Sequence, residues 1–92
     1  MAKSLNRSVE AKLTSVCNII AGQIRRLEAA IRALGMKIQS DERLLAKLKN
    51  TANPDPERIK LLQQQIEAEE EQLSQKEKEL DGLKEQFSEN CA

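Results

Sequence analysis

The sequence predicts an all-α fold: a two-helix antiparallel coiled-coil hairpin, with a long N-terminal helix and a shorter acidic C-terminal one. Three observations predict it: a composition unsuited to sheets, an apolar heptad repeat on both sides of one interruption, and a facing register that survives folding one half onto the other. The chain has 92 residues, 39% hydrophobic and 33% charged, with 3 Gly, 2 Pro and a single aromatic, Phe87. Such a chain is poor in the β-branched and aromatic residues that fill strands and large cores. It is one small unit, of a size at which a single core leaves little surplus stability. A staple or a partner is therefore expected.

The first helix is expected over about residues 3–49. Its a positions are Cys17, Ile24, Ile31, Ile38 and Leu45, and its d positions are Leu13, Ile20, Leu27, Leu34, Asp41 and Leu48. This is a heptad seam with one polar break. The interruption follows in KNTANPDPE, where a turn is expected over residues 50–55. Asn50 suits the end of the first helix because Asn tolerates the left-handed conformation. Asp55 suits an N-cap, Pro56 the first helical position and Glu57 the positive end of the helix dipole. The second helix is expected over about residues 56–89, with a at Ile59, Ile66, Leu73, Leu80 and Phe87 and d at Leu62, Glu69, Lys76 and Leu83.

Setting Leu48 opposite Ile59 fixes every other layer. Leu45 then faces Leu62, Leu34 faces Leu73, Leu27 faces Leu80, Ile24 faces Leu83 and Ile20 faces Phe87. Each layer joins an a to a d, as an antiparallel pair requires. The competing arrangement is a parallel dimer through the Ile-rich seam of the first helix. Three layers are polar: Asp41 with Ile66, Ile38 with Glu69, and Ile31 with Lys76. Long stems that cover apolar surface while their charged ends reach water account for these; the sharper reading is that they fix register. Cys17 and Cys91 fall one residue off the same register, so a disulfide between them is expected to be within reach. The alternative is a small apolar Cys17 in the seam and a free Cys91.

Charge is segregated although the net charge is zero. Residues 1–50 hold ten Lys/Arg against four Asp/Glu, and residues 51–92 hold five against eleven. A second stripe on the first helix, Ile19, Gly22, Ala29, Ala33 and Met36, lies away from the seam, and Leu5, Val9, Leu13 and Val16 extend past the end of the second helix. The stripe is an expected contact face between hairpins, although alanine also occurs in helices for its propensity alone, and the overhang is expected to be covered by another copy or by a different protein.

No catalytic constellation is present: there is no His, no Gly-rich phosphate loop, and no Cys or acidic cluster at metal-ligand spacing. No enzyme activity, metal or cofactor is expected. The expected role is structural, through self-assembly into a homo-oligomer or filament. The alternative is an adaptor or chaperone that receives a helix of another protein. Nucleic-acid binding through the basic first helix, with Arg25, Arg26, Arg32, Lys37, Arg43, Lys47 and Lys49, is disfavoured, because no aromatic platform accompanies the basic residues, an acidic helix lies alongside and the total charge is zero. The start, MAKSLNRSVEAK, has no apolar leader, and no run reaches the ~20 apolar residues of a membrane span. A cytoplasmic location is the default expectation, and export without a leader would leave no mark in the sequence. The outline resembles type III secretion needle subunits and small secreted Trp-x-Gly hairpins. The Pro54-Asp55-Pro56 turn, the charged end of the second helix and the lack of Trp depart from both, and no family is assigned.

Overall fold

The computed structural model describes residues 2–91, with side-chain surroundings for residues 14–91. Two helices, α1 (Ala2–Lys49) and α2 (Pro56–Cys91), pack against each other as a hairpin extending over 80 × 16 × 14 Å. The heptad seam explains the antiparallel pairing: apolar residues every three or four positions form one stripe per helix, and the short turn brings the stripes face to face.

The turn is built from local polar chemistry. The α1 end closes with the Asn50 N–H shared between Ala46 O at 3.1 Å and Lys47 O at 3.2 Å, while Thr51 Oγ1 donates to Leu48 O at 2.9 Å. The left-handed cap expected of Asn50 is not used, since none of the described non-glycine residues has a positive φ. The Thr51 hydroxyl satisfies a terminal carbonyl instead. At the start of α2 the Glu57 N–H donates to Asp55 Oδ1 at 3.0 Å, and the Ile59 N–H donates to Asp55 O at 3.1 Å. Asp55 is thus the N-cap, an interaction that stabilises a helix by about 1 kcal/mol.

The core is thin and uneven. Ile38, Leu62 and Ile66 are its buried apolar side chains, with Leu34, Leu45, Leu48 and Leu73 packed against them. The other expected seam residues, Ile20, Ile24, Leu27, Ile31, Ile59, Leu80, Leu83 and Phe87, are half-buried. Two helices cannot enclose a side chain as three or four can, so each outer layer keeps an edge in water. Packing is densest in the half of the hairpin nearer the turn.

At the far end the chain is closed covalently. Cys17 and Cys91 form a disulfide, with S–S 2.12 Å, a χ3 angle of −87° and Cα atoms 5.7 Å apart. The second helix runs on to Cys91, two residues beyond its expected end. The turn and the disulfide therefore tie both ends of the paired segment, and the covalent tie at the open end sits where the core is sparsest. Toward its N-terminus α1 continues for more than a dozen residues past Cys17 with no residue of α2 opposite.

Candidate functional site

Heptad spacing gives the hairpin two flanks, one on each side of the seam, and cross-helix contacts identify them. On one flank Lys84 Nζ lies 4.0 Å from a Glu28 carboxylate oxygen, an exposed pair of small energetic weight. On the other, Lys37 Nζ lies 2.8 Å from Glu69 Oε2 and 3.1 Å from Asp41 Oδ2, and Gln65 Nε2 donates to that same Asp41 oxygen at 3.2 Å. This second flank also carries an open groove of about 690 Å³, floored by Leu27 and Leu83 and walled by Gln23, Ala30, Glu79 and Gly82.

The polar layers differ from the expectation of solvated ends. Glu69 is 6% exposed, so its carboxylate does not reach water; it turns across the seam to Lys37. Its other oxygen, Oε1, is buried without a hydrogen-bond donor. An unpaired buried oxygen costs about 1–3 kcal/mol, which makes this layer a poor source of stability. Its geometric effect is specific, because Glu69 meets Lys37 and Gln65 meets Asp41 in one register only. Lys76, the other polar seam residue of α2, is half-buried.

Hydrogen bonding favours the charged forms of Asp41 and Lys37. Contact with the Glu69 carboxyl, and then with Lys37, lowers Asp41 from its ordinary value, and bonds to Glu69 first and Asp41 second raise Lys37. A lowered carboxyl contributes stability above its unfolded value, about 3.9, and loses it as pH falls through the folded value below that. Asp41→Asn is therefore expected to melt with a shallower loss of stability on acidification below about pH 4 than the parent. Thermal melts followed by circular dichroism across that range check this, and parallel pH curves would contradict the assignment.

The expected contact positions on α1 take different surroundings. Val16, Ile19 and Met36 are well exposed, at 49%, 56% and 71%, and Ala29 and Ala33 are exposed too. Gly22 is half-buried: Arg26 Nε donates to Gly22 O at 3.3 Å, and the Arg26 side chain lies 3.4 Å from where a Cβ on Gly22 would stand. Arg26 would have to move for another helix to approach there. The side chains of Leu5, Val9 and Leu13 lie outside the described residues. Sequence reasoning missed Leu44 and Leu61, 46% and 62% exposed. Their signal was a large apolar residue directly beside a seam position, at 45 and at 62, where the pairing of seams needs none.

Among the described residues no group of His, Cys, Asp and Glu is placed to hold a metal ion, and no helix is long and apolar enough to cross a membrane. No family model matches the chain, and it matches neither a curated protein nor a solved structure.

Proposed function

We propose that the chain is a non-enzymatic structural hairpin that works by assembling with copies of itself through helix packing. Its surface carries this reading. The hairpin exposes 7295 Å², against roughly 5,400 Å² for a compact monomer of its mass. Part of the excess follows from the elongated shape, but Val16, Ile19, Met36, Leu44 and Leu61 lie within it as large exposed hydrophobic residues. Val16 and Ile19, three apart on α1, are neighbours on its surface, and a contiguous apolar patch marks a contact surface.

A second reading has its own support: the groove over Leu27 and Leu83, with α1 continuing past Cys17, offers a seat to a helix of a different protein. The two readings part on the purified chain. Self-assembly predicts a scattering mass above 10.4 kDa that grows with protein concentration. A mass that stays monomeric at every concentration would overturn it in favour of the adaptor. The Cys17–Cys91 bond bears on location, because structural disulfides belong to oxidising surroundings. It supports maturation outside a reducing cytoplasm.

A further inference from the structure

The exposed apolar residues are not scattered around the hairpin. Val16 and Leu44 stand whole heptads from Ala30 and from Lys37, and Ile19 stands one heptad from Arg26; all belong to the flank that holds the groove and the Lys37 cluster. On α2, Leu61 stands three heptads from Gly82, which lines the same groove. Ala33, Ser40 and Ala68 continue the two strips with small side chains. Of the five large exposed hydrophobic residues, Met36 alone lies off this flank, on the back of α1. The opposite flank is occupied by charge, including Arg25, Arg32, Glu67, Glu70, Glu77 and Asp81.

Building on the self-assembly reading, we infer that this flank seats a second copy of the chain, related by a two-fold axis running along the hairpin. Each α1 then lies over the partner's α2. Three observations select this arrangement. The first is charge: on this flank α1 carries Arg26 and α2 carries Glu79, and crossing the helices brings Arg26 over the Glu79–Gly82 level of the other copy. A two-fold axis across the hairpin would instead lay α1, whose charged residues on this flank are Arg26, Lys37 and Lys47, on α1 of the other copy. The second is level. The Lys37–Glu69 and Asp41–Gln65 contacts fix which residues of α1 and α2 stand side by side, and by that register Leu44 and Leu61 share a level to within about one residue. Rotation about the long axis keeps levels, so Leu44 of each copy meets Leu61 of the other, and Ser40 meets Ala68. The third is area. From Val16 to Lys49 the flank runs for about 50 Å, and with a width of 16 Å it offers about 800 Å² per copy, the size of a standard stable interface. The product is an isologous four-helix bundle in which every neighbouring helix is antiparallel.

The test is a complementation between two charge variants, Leu44→Glu and Leu61→Lys. Both sites are exposed in the hairpin, so each variant keeps its helicity, checked by circular dichroism. Each alone buries two charges against leucine in the dimer and is expected to weaken association at least about tenfold. Mixed in equal amounts they form a heterodimer with one Glu–Lys contact and one intact Leu–Leu contact, and sedimentation equilibrium of the mixture is expected to recover dimer that neither variant forms alone. Ile19→Glu, at the far end of the flank, is expected to dissociate the dimer without rescue by Leu61→Lys. If the variants associate as tightly as the parent, or if the mixture stays dissociated, the inference fails while self-assembly stands. A parent chain that is itself monomeric overturns both.

Discussion

Loss of the Cys17–Cys91 disulfide is expected to lower the stability of the hairpin by about 4 kcal/mol, the chain-entropy value for closing a loop of this size. The two sulfurs are separated by 74 residues, so the bond removes a large set of open conformations from the unfolded chain. The native state has little to set against that loss. Near the disulfide the seam residues Ile20, Ile24, Leu83 and Phe87 are only half-buried, and α1 runs on beyond them unaccompanied by α2. In the reduced chain, or in Cys91→Ser, the open end is expected to fray first while the segment nearer the turn stays helical. The midpoint of thermal unfolding should fall by about 20 °C for a domain of this length. Melts with and without reductant measure it, with Cys91→Ser as the control insensitive to reductant. An unchanged midpoint would show that the bond is redundant with the packing around it.

Ile66→Ala is expected to be the most damaging single change within the seam. Ile66 is 7% exposed and forms the buried cluster with Ile38 and Leu62. Truncating a buried Ile costs about 2–5 kcal/mol, depending on how far the surroundings collapse. Two helices free to move together sit near the lower end, so about 2–3 kcal/mol is expected. The cost should be larger than for Ile24→Ala, whose side chain already keeps one edge in water. Denaturant unfolding of both variants under oxidising conditions compares them. Equal losses would mean that the core is uniform along the hairpin. Combining Ile66→Ala with reduction should leave little folded protein, because the two changes remove the main cluster and the main constraint on the unfolded chain.

The hairpin was legible because its determinants are local or periodic. The Asp55 cap needs only its own side chain and the next two residues, and the a/d stripe repeats over enough heptads to fix both the pairing and the register that brings Cys17 to Cys91. What escaped depended on neighbours across the seam. Glu69 read as a residue whose end would reach water, since a long polar side chain at a d position usually has that freedom; Lys37, on the other helix, captures it. Thr51 rather than a left-handed Asn50 closes α1, a choice between two local solutions. The exposed flank was half legible. Ile19 and Ala33 announced themselves as apolar residues off the seam, but Gly22 is covered by Arg26, and α2 read as a plain acidic surface although Leu61 and Gly82 place it on the same flank as Leu44 and Ala30.

If the folded hairpin is bound by further copies of itself, the melting temperature of the oxidised chain depends on its concentration. Partners that bind only the native state raise its apparent stability by mass action. The midpoint is expected to climb steadily as protein concentration increases, with a smaller climb for Leu44→Glu. A midpoint independent of concentration across the range would contradict it and leave a stapled hairpin that awaits a different partner.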